Sequence, residues 1–439
     1  MRALPLAVLL GAALALTLGG ERDARANGRF PASNAMVFSP SDPRTVYARV
    51  TFGLLASRDG GGSWRWVCER AIGYASQEDP TYVVTPKGTL VAGLFEGLRV
   101  SRDGGCSWQS VDTGGTKSFV DVTMRADGTV YALSSAYDGS GDGGGMRFRT
   151  QVWVSTDDAR TFTKLGPPID PGLLAESMEI AEGDPSRIYV SAVRGSEPPR
   201  RGVLLASTDR GATFVERAVP TEAHEIAPFI AAVDPARPGR VYLRTAGPPD
   251  KDTHLLVTDD GGRAFRTLIT ARGPLHGFAL AKGGDLVFAG GPDAGFFAGA
   301  PSGPIAKTSD QWIQCLGVAG ETLWACSREA SGFFLGRSTD RGARFEAALH
   351  LGDLEGPLAC PADSSVTRDC GAEWAELSRT LGKDSPPADA GPPDAGRPDA
   401  AAPKAAPPPP APSGARWIVI AVVIAAGLGA GIVVSRRRR

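Results

Sequence analysis

One eight-residue string constrains this chain more than anything else in it. "SRDGGGSW" (Ser57 to Trp64) returns as "SRDGGCSW" (Ser101 to Trp108), "STDDARTF" (Ser155 to Phe162), "STDRGATF" (Ser207 to Phe214), "TDDGGRAF" (Thr258 to Phe265) and "STDRGARF" (Ser338 to Phe345). A worn copy, "GFFAGAPSGP", stands at Gly295 to Pro304. Self-similarity at a period of roughly 20–50 residues is the mark of a repeat architecture and has to be read before any single motif.

The same grammar precedes each copy. "AMVFSPSDPRTVYARV" reads as a strand, a Pro/Asp turn and a second strand; "MEIAEGDPSRIYVSAV" and "AAVDPARPGRVYLRTA" repeat it, and "VTMRADGTVYAL" shortens it. A third short strand follows ("GLLAS", "GLRVS", "QVWVS", "GVLLAS"), then the Asp string, then a fourth strand. The spacing predicts an all-β fold: a single seven-bladed β-propeller of four-stranded blades over residues 27–350, each unit about 40 to 54 residues long. The Asp string is then the turn between the third and fourth strands. Its carboxylate accepts hydrogen bonds from turn backbone and the Ser/Thr hydroxyl, its Gly supplies positive φ, and its aromatic packs against the next blade.

These strings resemble the Asp-box, or BNR, repeat of bacterial sialidases, xyloglucan-cleaving enzymes, sortilin-type receptors and photosystem assembly factors, over about Phe30 to Leu349. The resemblance implies that Asp59, Asp103, Asp157, Asp209, Asp260 and Asp340 are peripheral and structural rather than catalytic. No cofactor or metal is expected.

The chain's ends give it an address. Arg2, the apolar run Leu4 to Leu18 and Ala24-Arg25-Ala26 have the layout of a secretory signal, residues 1–26. Residues 385–415 are nearly all Pro, Ala, Gly and Asp, a stalk that cannot bury a core. Trp417 to Val434 is uncharged and apolar and precedes Arg436 to Arg439, so residues 416–439 read as a transmembrane helix with a cytoplasmic Arg cluster. This tail resembles myxobacterial-type surface-sorting tails, although the Cys those tails usually carry before the helix is missing. The expectation is an exported, surface-held protein, monomeric, whose partners are an envelope or extracellular glycan or protein. With a formal net charge of −1 and no basic stripe, nucleic acid is excluded.

Six cysteines in an exported chain read as disulfides. Fifteen pairings are open. The blade register favours Cys68–Cys106 and Cys315–Cys326, with Cys360–Cys370 closing a small loop in residues 351–384, ahead of a helix at Ala372 to Leu381.

Strand order puts the loops between strands two and three, and those between blades, on the face opposite the Asp boxes. The long insertions fall there: residues 69–80, 136–150, 194–202, 220–228 and 246–253. Candidate ligand-binding residues are therefore Glu69, Arg70, Tyr74, Glu78, Asp79, Arg194, Glu197, Arg200 and Arg201. "DGSGDGGG" (Asp138 to Gly145) opens like a calcium loop, but Arg149 stands where an acidic residue is needed, so it reads as a Gly-rich loop. No nucleophile-elbow, zincin, Walker or dinucleotide motif occurs. The function expected is binding; a glycoside hydrolase of sialidase or xyloglucanase type and a membrane-complex assembly factor are the alternatives.

Overall fold

The computed structural model describes residues 31–75, 78–141, 145–195 and 200–382. Within them lie seven four-stranded antiparallel sheets, each built from four consecutive strands. The fold is a seven-bladed β-propeller. The first blade comprises β1 (Ser33–Phe38), β2 (Val46–Val50), β3 (Gly53–Ser57) and β4 (Arg65–Val67). The others occupy residues 81–110, 119–169, 173–218, 227–272, 277–309 and 315–349. The segments expected to be signal, stalk and membrane helix lie outside the described residues.

The Asp strings are the turns between third and fourth strands. In the first, Asp59 Oδ1 accepts from Ser57 Oγ at 2.8 Å and from the Gly62 and Ser63 amides at 2.9 Å, while Ser63 Oγ donates to Oδ2. Ser57 Oγ in turn accepts the Gly61 amide. The hydroxyl–carboxylate bond recurs at Ser101–Asp103, Ser155–Asp157, Ser207–Asp209, Thr258–Asp260 and Ser338–Asp340. Gly61 has φ +92°, and a Cβ there would lie 2.5 Å from the Trp324 ring of blade seven, so glycine permits both the turn and the seam. Where the string has lost glycine, Asp158, Ala159, Arg210 and Arg341 take positive φ instead.

The string's aromatic packs against the preceding blade, not the next one as expected. Trp64 meets Trp324 edge-on at 6.4 Å and donates to Ala348 O, and Phe345 lies edge-on to Phe296 of blade six at 5.5 Å. The turn itself already rests on that blade, since Gly61 lies against the Trp324 ring, and the aromatic that follows enters the same seam.

Among the described residues no strand is shared between the last blade and the first. The chain instead runs on past blade seven and crosses blade one, where Glu355, Gly356 and Leu358 exchange backbone hydrogen bonds with Trp64 and Trp66 along the outer strand. Helix α1 (Glu69–Ile72) extends β4, and α2 (Ser365–Thr380), capped by Ser364, packs Trp374 on Trp66 at 6.0 Å. Two disulfides fasten this tail, Cys68–Cys370 and Cys106–Cys360. The expected pairings Cys68–Cys106 and Cys360–Cys370 are thus corrected, whereas Cys315–Cys326 forms across neighbouring strands. Cys68 and Cys106 each face the crossing tail, and that tail was invisible to a register drawn from blades alone. Three disulfides with no free cysteine mark an extracellular protein.

Candidate functional site

On the face opposite the Asp strings, inner-strand starts and inter-blade loops surround the mouth of the axial channel. β2 and its counterpart β18 (Val241–Ala246) carry an arginine at one equivalent position, Arg49 two residues after Tyr47 and Arg244 two after Tyr242. The other blades hold Gly93, Leu133, Ser191, Gly290 and Cys326 there. Both guanidinium groups serve carbonyls of the segments that lead from one blade to the next. Arg49 donates to Asp79 O at 3.1 Å, Pro80 O and Asn34 O, and Arg244 donates to Leu275 O at 3.1 Å beside the Phe229 ring.

Among the described residues neither arginine makes an ion pair, and Arg49 Nε has no hydrogen-bond partner. Their fields overlap. Enclosure, then the like charge of Arg49, pulls Arg244 down to about 10. Enclosure and the charge of Arg244 together lower His276 to about 4, leaving that imidazole neutral. Arg49 also lies in the field of Asp121, on the innermost strand of blade three, which is raised to about 6 by burial and already accepts the Val122 and Met178 amides. A guanidinium enclosed with no carboxylate in ion-pair contact is only partly compensated, and an incoming anion adds to that compensation.

The insertions chosen from sequence are placed variously. Tyr74 is buried with its hydroxyl beside that of Tyr82, and Glu78 is buried and accepts the Phe95 amide at 2.7 Å. Asp79 reaches the site through its carbonyl, as the acceptor for Arg49. Glu69 and Arg70 lie in α1, where Arg70 pairs with Glu373 of the crossing tail at 2.9 Å. Arg194 clamps Asp170 and Glu216. Arg200 and Arg201 line a shallow cleft of about 320 Å³ with Glu216 and Thr221. Glu197 lies outside the described residues. The Gly-rich segment is half strand: pairing continues to Ser140 and resumes at Met146, with Asp138 bonded to Arg149.

Sequence reasoning passed over Arg49 and Arg244. The signal was present, since the recurring strand-two tyrosine fixes the register and only two of its copies are followed two residues later by arginine. Among the described residues no cluster of His, Cys, Asp and Glu has the geometry to hold a metal ion.

The strand pairing defines a seven-bladed β-propeller. No family model and no curated protein matches the chain. Similar solved structures include a Hadza microbial sialidase (17% identity, 64% of this chain and 70% of that one, TM-score 0.41). A GH74 xyloglucanase from Xanthomonas campestris (15%, 75% and 61%, 0.45) and YCF48 from Cyanidioschyzon merolae (13%, 59% and 92%, 0.37) are others. The chain thus spans about three fifths of the xyloglucanase's length. At these values the likenesses carry no argument about activity, and the seven-bladed fold stands on its own strand pairing.

Proposed function

We propose that the chain is an exported, surface-held binding module that takes an anionic group of an envelope or extracellular ligand at the axial mouth of its loop face. The observation that supports this most directly is the pair of guanidinium groups, Arg49 and Arg244, delivered to the segments between blades from equivalent positions in blades one and five with no carboxylate partner among the described residues. Arg194, by contrast, is compensated by Asp170 and Glu216. Cations left only partly compensated beside loops that can frame a ligand serve an incoming anion better than they serve stability.

The test is a glycan array probed with the full chain, extended to acidic peptides. Binding confined to acidic members, weakened by salt and lost in Arg244→Gln, supports the reading. Binding that ignores both salt and Arg244→Gln overturns it.

One observation favours a hydrolase as the second reading. Glu176, in a one-residue bulge of the innermost strand of blade four, is buried, and burial raises it to about 8 against the opposing charge of Arg200. A carboxylic acid that keeps its proton at neutral pH is what a general acid requires. Mass spectrometry of the array ligands after incubation separates the readings: cleaved sugar, abolished by Glu176→Gln, replaces binding with hydrolysis.

A further inference from the structure

Blade three departs from its neighbours on the ligand face. Its second and third strands, β10 (Val130–Ser140) and β11 (Met146–Ser155), run eleven and ten residues where the same strands of blade one have five each. Their outer halves form a two-stranded ribbon beyond the blade. The ribbon is stiff: Ser135 and Thr150 join hydroxyls at 2.9 Å across the pair, and the Phe148 amide donates to Pro171 O at 2.8 Å. On its second face Asp138 and Arg149 form an ion pair.

The first face carries Tyr137 directly opposite Phe148, with ring centroids 6.2 Å apart and planes at 70°. Tyr137 is 55% exposed, one of two large hydrophobic residues left open among the described residues; Val215 is the other, beside an Asp string. An aromatic held this way loses little conformational entropy on binding, so most of its contact energy is retained.

Patch size decides the occupant. A stable protein interface needs about 800 Å² per partner around an apolar core, and two side chains on a narrow ribbon cannot provide one. A sugar ring presents an apolar C–H face matching one aromatic ring, with hydroxyls at its rim for the Tyr137 hydroxyl and the ribbon's polar edge. We propose that the Tyr137–Phe148 face is a carbohydrate-stacking subsite that grips a sugar ring of the ligand whose anionic group enters the axial mouth. This rests on the binding reading above and narrows its ligand to a glycan.

The experiment is the same array, using the full chain and the variants Tyr137→Ala, Tyr137→Phe, Val215→Ala and Arg244→Gln, each checked for native near-UV circular dichroism. Tyr137→Ala should weaken binding to the responding glycans at least about tenfold, with Tyr137→Phe close to the parent and Val215→Ala unchanged. Parental binding by Tyr137→Ala, with loss in Arg244→Gln, overturns the subsite and leaves the axial mouth standing. Response only to acidic peptides overturns the subsite and keeps the anionic reading. Silence of the parent on glycans and peptides alike overturns both.

Discussion

Cys370, on the helix that follows the last blade, is bonded to Cys68 at the end of the first blade, 302 residues earlier in the chain. With Cys106–Cys360 it replaces the shared strand that would otherwise join blade seven to blade one. Long-range cross-links remove the most freedom from the unfolded chain, although the gain grows only slowly with loop length. Replacing Cys360 and Cys370 together by Ser should lower stability by about 2–5 kcal/mol and free the tail from blade one. Replacing Cys315 and Cys326, which are 11 residues apart, should have a smaller effect. Thermal unfolding with limited proteolysis reads both: early cleavage after Leu349 is expected only in the first variant.

The worn Asp strings hold a second, smaller reserve. Arg210 and Arg341 sit at φ +60° and +61°, where a Cβ is strained, and both side chains are exposed. Arg210→Gly and Arg341→Gly should each stabilise the fold by about 0.5–1 kcal/mol, seen as a higher denaturant midpoint at unchanged slope. Ala159 at φ +55° is buried, so its exchange tests packing as well as backbone.

These strings explain why the fold was legible. Each closes its hydrogen bonds within eight residues, as Ser57 to Ser63 do around Asp59, so the whole device is written locally. The disulfides were not legible, because Cys68 and Cys106 find partners on a tail whose path depends on where blade seven ends. Tyr74 and Glu78 lie in a long insertion, and length alone did not reveal that both fold inward. Arg49 and Arg244 lie too far apart for any motif to link them, and only the propeller register brings them to one position.

The buried acids set an alkaline limit. Glu176 rises from 4.5 to about 8 and Glu179 to about 7, in both cases chiefly through burial. A group whose folded pKa is raised contributes stability fully below its unfolded value, and that contribution is lost as pH climbs through the folded one. The loss therefore falls between pH 4.5 and 8. Glu176→Gln should leave stability near pH 4.5 almost unchanged and raise it at pH 8, flattening the profile. His276 acts in the opposite sense: lowered from 6.5 to about 4, it removes stability as pH falls through that window. Chemical denaturation at a series of pH values checks both slopes.

Arg244 should separate stability from binding. Its guanidinium is partly enclosed, donates to Leu275 O, feels the like charge of Arg49 and, among the described residues, forms no ion pair. Removing a charge that the fold compensates only in part is neutral or favourable when the replacement keeps the hydrogen bond and the packing on Phe229. Arg244→Gln should therefore match or exceed the parent's stability by up to about 1 kcal/mol while losing the anionic ligand. Arg194→Gln is the contrast. It breaks the clamp on Asp170 and Glu216, so it should lower stability by about 1 kcal/mol and leave axial binding intact. If Arg244→Gln instead unfolds the propeller, the arginine is a structural member of the blade five to blade six seam, and the anionic group of the ligand must be sought elsewhere on the loop face.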